Sequence, residues 1–295
     1  MTNTIGKTES FVFNCKISVV IPTFNRAVTL LRAINSVINQ TYPVEEILIC
    51  DDGSDDNSKN EVFALRNSKI KWIDCGRNGR PSIPRNMGIK NATGDWVAFL
   101  DSDDEWQPDK IEIQVKLLIE SKSRAVCCNA FRVVNSKKQG PYLSYKKKSI
   151  AFTDFLSGNI VICSSAIVDR ILLNEISSFP EEKEYTAIED YALWLRLATK
   201  IDFAYYKEPL LNYNDSPQLS IRTYYKDVWQ IKQFVFKEMI EWIKKNDLQL
   251  KPAIREQLIG ACSKELKRKS SPAIAYMKRK LKLSLIRIGI VKSVI

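Results

Sequence analysis

At 295 residues the chain can hold one large α/β domain plus an extension, and its 45% hydrophobic and 27% charged composition excludes a disordered or a membrane-spanning protein. It has no histidine, so histidine acid/base catalysis, His-ligated zinc and Ser-His-Asp triads are excluded and carboxylates must carry such chemistry. The net charge of +11 sits at one end, with ten Lys/Arg against one acid between Lys264 and Ile295.

The opening MTNTIGKTESFVFN lacks the basic start and long apolar core of a secretory leader. The seven cysteines are odd in number and without zinc-type spacing, which suits buried thiols in a reducing compartment. A cytoplasmic protein is expected.

KISVVI at 16–21 reads as a buried strand closed by Pro22, with Asn25 as cap of the following helix. Ala27, Leu30, Leu31, Ile34, Val37 and Ile38 fall on one face of that helix, which ends near Gln40. EILIC at 46–50, a helix near 58–66, KIKWID at 69–74, a helix near 84–92 and WVAFL at 96–100 continue the alternation. Four strands separated by three helices predict a mostly parallel, doubly wound sheet, whose ligands bind beyond the carboxyl ends of the strands. Pro108 suits a first helical turn, and the helix after it carries Ile111, Val115, Leu118 and Ile119 inward. Further on the pattern predicts strands near 124–134, 160–168 and 202–206, a helix over 188–199 and a largely helical region from Tyr224. Lys137 to Lys148, polar with Gly140 and Pro141, reads as a mobile loop.

Two acidic clusters follow strands on the ligand-binding edge: Asp51-Asp52-Gly53-Ser54 and Asp101-Ser102-Asp103-Asp104. Either alone reads as a tight turn or an acidic helix entry. Both at strand ends on one edge point to a site, and the second cluster suits a hard divalent cation, Mn²⁺ or Mg²⁺, holding a nucleotide diphosphate and stabilising charge on the leaving phosphate. Arg77, Arg80 and Arg85, just before the fourth strand, are candidate phosphate donors. Trp106 is either core or a wall for an acceptor.

SVVIPTFNR (18–26), INQTYPVEEILICDDGSDD (38–56), PRNMGIKNATGDWVAFLDSDDEWQPDKI (84–111), GNIVICSSAIV (158–168) and IEDYALWLRL (188–197) resemble, in this order, the family-2 glycosyltransferases of GT-A fold. The resemblance covers about residues 16–215. It implies an α/β, Rossmann-like, mostly parallel sheet with flanking helices, in a transferase domain over 1–220 with a nucleotide-binding half (16–105) and an acceptor half (106–220). A helical, basic extension follows over 221–295.

It also implies that Pro22, Thr23 and Asn25 line the nucleotide pocket, that Asp52 accepts from the base ring and that Asp51 supports the turn. Arg80 and Arg85 belong to the nucleotide-sugar site. Asp101 and Ser102 flank sugar and ribose, and Asp103 binds the metal, with Asp101 as a possible second ligand. Asp190 is the general base, supported by Glu189, and Asp104 has no assigned role. One base opposite a leaving diphosphate inverts the anomeric centre. The reading is a metal-dependent transfer of one sugar from a nucleotide sugar, with UDP as carrier, to a lipid-linked glycan of bacterial surface polysaccharide such as O-antigen or capsule. Alternatives are a non-catalytic nucleotide-sugar module, or transfer to a polyprenyl phosphate or protein. Pro84 departs from the small residue usual before Arg-Asn, and no QxxRW of processive members follows Glu189-Asp190.

In the tail, Ile274, Met277, Leu281, Leu285 and Ile288 lie on one helical face with lysines and arginines outside it. This predicts an interfacial helix that holds the enzyme peripherally on the inner, anionic face of the cell membrane. Nucleic acid is not an expected partner.

Overall fold

The computed structural model describes residues 15–215, 228–267 and, in the tail, 279, 281–283 and 285. In chain order the elements are β1 (Ile17–Thr23), α1 (Ala27–Ile38), β2 (Glu46–Asp51), α2 (Ser58–Ala64), β3 (Ile70–Asp74), α3 (Ser82–Asn91), β4 (Trp96–Phe99), β5 (Glu105–Trp106) and α4 (Lys110–Ser121). They continue with β6 (Ala125–Val134), β7 (Lys137–Pro141), β8 (Ser149–Ile150), α5 (Phe152–Phe155), β9 (Ile167–Asp169), α6 (Arg170–Glu175), α7 (Glu189–Leu197), β10 (Phe203–Asn214), α8 (Val228–Lys245) and α9 (Pro252–Lys267).

The strands form one sheet in the order β3-β2-β1-β4-β9-β6-β10-β5, with β7 paired to β6 and β8 to β10. β1 to β4 are mutually parallel where they pair, as are β6 and β10, while β9 joins the two halves antiparallel to β4 and β6. Strand alternation explains the three layers. Ile17, Val19, Ile21, Ile47 and Ile49 face a core completed by Leu30 and Ile34 of α1 and Ile111 and Val115 of α4. Val20, Leu48, Cys50, Val97 and Phe99 face the opposite core, which takes in Ile89 of α3, Trp194 of α7, and Phe236 and Leu258 of α8 and α9. A Cβ at Gly88 would lie 2.4 Å from Val20 Cγ1, so the glycine lets α3 settle directly on β1.

The sequence-predicted strands and helices up to α4 are present with shifts of a few residues at their ends. Pro108 stands just ahead of the helix that opens at Lys110, and Pro84 lies inside the first turn of α3. Farther along, the expected strand at 160–168 is confined to Ile167–Asp169, because Cys163–Ser165 form a 3₁₀ turn. The strand expected at 202–206 runs on to Asn214. Lys137–Pro141, expected as loop, is a strand paired with β6. All seven cysteines are free thiols.

Among the described residues no helix is long and apolar enough to cross a membrane. In the tail, Leu281 and Leu285 are helical and buried in the core shared with α8 and α9, whereas Arg279 and Lys282 are exposed. The face expected to meet lipid is therefore turned into the protein at these two positions; Ile274, Met277 and Ile288 lie outside the described residues.

Candidate active site

Because β1, β2 and β4 are parallel, their exits deliver three loops to one edge of the sheet. At the β2 exit, Asp51 accepts from Ser54 N–H at 3.0 Å and from the Ser54 hydroxyl, holding a turn in which Gly53 has φ +80°. Asp51 supports that turn, as expected, and does not itself line the cavity, although it was counted with the nucleotide-sugar residues. Asp52 does line it, and accepts from Asn78 N–H and Gly79 N–H, each at 2.8 Å. Asp52 also pairs with Arg77, whose guanidinium lies 3.7 Å above the centre of the Phe24 ring.

Asn25 is placed differently from expectation. It adopts φ 49°, donates to Asp55 Oδ1 at 2.6 Å and accepts from Asp55 N–H at 2.9 Å. It staples the β1–α1 loop to the β2–α2 loop and neither caps α1 nor lines the cavity, as Pro22, Thr23, Phe24 and Arg26 do. The first N–H of α1, from Ala27, is taken instead by Asp56 at 3.2 Å. The cap thus comes from a residue 29 positions farther along the chain rather than from the adjacent sequence.

At the β4 exit the four residues diverge. Asp104 is buried, accepts from the Ser164 hydroxyl at 2.6 Å and from Asn214 N–H at 2.8 Å, and so pins the loop to the end of β10. Ser102 and Asp103 line the cavity. Burial raises the Asp103 carboxyl above its ordinary value; the Arg26 guanidinium paired with it pulls the other way, and Asp101 adds to the rise. Asp101 receives Arg85 Nη2 at 2.6 Å. Trp106 is core rather than an acceptor wall: it is 4% exposed and donates to Ser164 O at 2.8 Å.

The arginines also separate. Arg85 touches the cavity, and its two terminal nitrogens each donate to a carboxylate, Asp101 and Glu189 (2.7 Å), so it is a buried clamp between the two acids. Its pKa is held well above normal, since the surrounding carboxylates outweigh burial. Arg77 is committed to Asp52. Arg80 lines the cavity with no acidic partner among the described residues, and its buried Nε lacks a hydrogen bond. The Thr23 hydroxyl is likewise buried and unpartnered.

The far wall comes from the second half of the sheet. α7 begins at Glu189, and Asp190 in its first turn accepts from Asn159 Nδ2 at 3.0 Å and from Tyr191 N–H at 2.7 Å. Asp190 lines the same cavity, of about 580 Å³, as Asp52, Arg80, Asp101, Ser102 and Asp103. That volume suits an extended small ligand. Sequence reasoning missed Phe24, Arg26, Tyr213, Asn214, Asn135 and Ser136, which also line it. Arg26 lay within a quoted motif, but nothing in its spacing signalled a partner 77 residues on. Among the described residues no three acidic or thiol side chains form a ready-made metal site.

A Rossmann-like half with acidic loops at its strand ends, sharing one cavity with the acidic start of α7 from the second half of the sheet, is the arrangement of a GT-A glycosyltransferase. Residues 18–177 match the family model Glycosyl transferase family 2, and the chain belongs to that family.

Among curated relatives, it is 33% identical over 181 residues to the UDP-Glc:alpha-D-GlcNAc-diphosphoundecaprenol beta-1,3-glucosyltransferase WfgD of Escherichia coli, covering 61% of this chain and 69% of that one. It is 28% identical over 195 residues to the putative teichuronic acid biosynthesis glycosyltransferase TuaG of Bacillus subtilis, covering 64% and 74%. An uncharacterized glycosyltransferase of Rickettsia felis is 34% identical over 68% of this chain, which spans only 33% of that longer protein. Among solved structures, S. aureus TarS 1-349 in complex with UDP-GlcNAc superposes with TM-score 0.64 at 18% identity, over 94% of this chain and 93% of that one. That likeness is one of fold.

Proposed function

We propose that this chain is an inverting transferase that moves one sugar from a UDP-sugar to a hydroxyl of a lipid-linked glycan during synthesis of a bacterial surface polysaccharide. The carrying observation is the single cavity lined by Asp190 together with Asp52, Arg80 and Asp103. The relatives' names support the substrate classes: WfgD uses UDP-Glc and a GlcNAc-diphosphoundecaprenol acceptor, and TuaG is assigned to teichuronic acid.

In this reading the base and ribose lie along Pro22, Thr23 and Asp52, where the unpartnered Thr23 hydroxyl is a ready donor or acceptor. Asp52 then exchanges part of its hold on the 77–79 loop for the base ring. The diphosphate meets Arg80, the cavity arginine without an acidic partner. Asp101 and Ser102 flank the sugar. Asp190, oriented by Asn159, takes the proton from the acceptor hydroxyl as its oxygen attacks the anomeric carbon; the bond to the diphosphate breaks on the opposite face and configuration inverts.

The donor set at Asp103 fits Mn²⁺ or Mg²⁺, which bind through one or two carboxylates and complete their shell from substrate phosphates. Asp103 and Asp101 line the same cavity, so two carboxylates from one loop are at hand for a cation. When bound, the ion would neutralise charge growing on the leaving diphosphate. Arg26, which pairs with Asp103, would have to give way.

Titration of UDP, GDP and dTDP into the purified protein, with and without Mn²⁺, tests this. UDP binding that requires metal and is lost in Asp103→Ala is the expected result. Binding of no nucleotide under any condition would remove the transferase reading.

A further inference from the structure

Residues 132–148 carry six basic side chains and no acidic one. They are not the mobile loop that their composition suggests. β7 pairs with β6 through Phe131–Pro141, Val133–Lys138 and Val134–Lys137. Beyond it, Asn129 donates to Leu143 O at 2.8 Å and to Lys207 O at 3.1 Å and accepts from Leu143 N–H at 3.0 Å, while Lys148 O accepts from Tyr205 N–H at 2.9 Å. The segment is bound along the edge of the acceptor half of the sheet.

Two of its charges are locally matched, Arg132 by Asp215 and Lys147 by Asp154. Lys137, Lys138, Lys146 and Lys148 are exposed and have no acidic partner among the described residues. The turn that leads into them, Asn135 and Ser136 with φ of 49° and 62°, lines the cavity that contains Asp190. Lys137 and Lys138, which directly follow that turn, therefore put unmatched positive charge at the cavity rim, and Lys146 and Lys148 continue the basic strip toward the start of β10.

We infer that this basic hairpin and the 141–148 segment form a strip by which the protein adsorbs on an anionic phospholipid bilayer, with the end that carries Lys137 and Lys138 bringing the cavity mouth to the lipid. The inference rests on the lipid-linked acceptor proposed above for the reason a bilayer is wanted at that mouth. None of the exposed large hydrophobic side chains among the described residues lies in 132–148, so attachment is electrostatic rather than by insertion. Leu281 and Leu285 of the tail are already buried in the protein core, which leaves them unavailable to lipid. Single-stranded nucleic acid fits less well, because it needs outward aromatic faces. Tyr142 and Tyr145 instead pack edge-to-face against Tyr213 and Tyr205, with ring centres 5.2 and 5.3 Å apart.

The test is sedimentation of the full chain with vesicles of phosphatidylcholine containing phosphatidylglycerol, at low salt. Each lysine near an anionic surface is worth about fivefold in partitioning, so the variant with Lys137, Lys138, Lys146 and Lys148 all changed to Gln should bind about 500-fold more weakly. Vesicles of phosphatidylcholine alone should bind neither protein, and a variant with Arg279→Gln and Lys282→Gln should retain most adsorption. Circular dichroism melts confirm that each variant is folded. Equal binding by wild type and quadruple variant, no binding by wild type, or preference of wild type for an oligouridylate over vesicles would each overturn the inference. UDP binding on the same proteins reports separately on the transferase reading: vesicle adsorption without UDP binding defeats that reading and leaves this surface standing.

Discussion

Arg85 Nη1 donates to Glu189 Oε1 at 2.7 Å, with side chains 5% and 6% exposed, across 104 residues of chain. Since Arg85 Nη2 also holds Asp101, one guanidinium joins the donor-side acidic loop to the start of α7, and thereby fixes where Asp190 stands relative to Asp103. Removing the cation strands two carboxylates, one of them buried, and breaking such a pair costs about 3–5 kcal/mol. Arg85→Met is expected to lose stability of that order in urea unfolding. Arg85→Lys should lose less stability but still impair turnover, because an ammonium cannot reproduce the fork that grips both acids. An Arg85→Met protein as stable as wild type would show that the clamp is dispensable.

Asp190→Asn keeps the size of the side chain and its contact with Asn159 within reach while removing the basic oxygen. Loss of a positioned general base typically lowers turnover about 10²–10⁴-fold. UDP binding should be unchanged, because in the proposed reading Asp190 serves the acceptor while Asp52 and Arg80 serve the donor. Calorimetry for UDP and a product assay separate the two effects. A loss of UDP binding equal to the loss of turnover would mean that Asp190 serves the donor instead.

The parallel half of the fold was legible because β1, β2 and β4 have side chains buried on both faces and read as continuous apolar runs between helical periods. β5, β7 and β8 were not, since Glu105–Trp106 and Ser149–Ile150 are two-residue strands and Lys137–Pro141 is wholly exposed, without apolar alternation. At the site, the positions of the two acidic loops followed from strand ends, which any parallel sheet dictates. Which carboxylate faces the ligand did not follow. Asp51 and Asp104 turn to backbone and hydroxyl donors while Asp52 and Asp103 face the cavity, and that division depends on Ser54, Ser164 and Asn214, partners invisible to local pattern. The fate of Arg85 was hidden for the same reason, because both acids that capture it come from later in the chain.

If Asp103 holds the proposed metal, Arg26, which pairs with it, would compete with the ion. Replacing Arg26 with Gln removes a positive charge next to the carboxylate, a change of about 1 kcal/mol at a partly exposed site. Mn²⁺ binding in the absence of nucleotide, followed by electron paramagnetic resonance, should therefore tighten about fivefold. Because burial and Asp101 raise the Asp103 carboxyl, metal affinity should decline on acidification at a higher pH than an ordinary aspartate would give. Unaltered Mn²⁺ affinity in Arg26→Gln would place the ion elsewhere.

Glu46 supplies a prediction at the other end of the sheet. Burial alone would raise its carboxyl, yet hydrogen bonds from Lys71 (2.6 Å), Ser18 (2.6 Å), Thr93 N–H (2.6 Å) and the Thr93 hydroxyl (2.7 Å) pull it down to about 2. A carboxylate depressed in the folded state binds fewer protons there than in the unfolded chain, so its contribution is complete above the ordinary value of 4.5 and is lost as pH falls toward 2. Lys71 is half exposed, so solvent screening reduces the net contribution to about 1–2 kcal/mol. Glu46→Gln should lower stability by that amount at pH 7 in urea unfolding, and the gap from wild type should close between pH 4.5 and 2, the span between the ordinary and the depressed value. A gap that stays constant across that interval would mean that the carboxylate stabilises by shape and hydrogen bonding alone, independent of its charge.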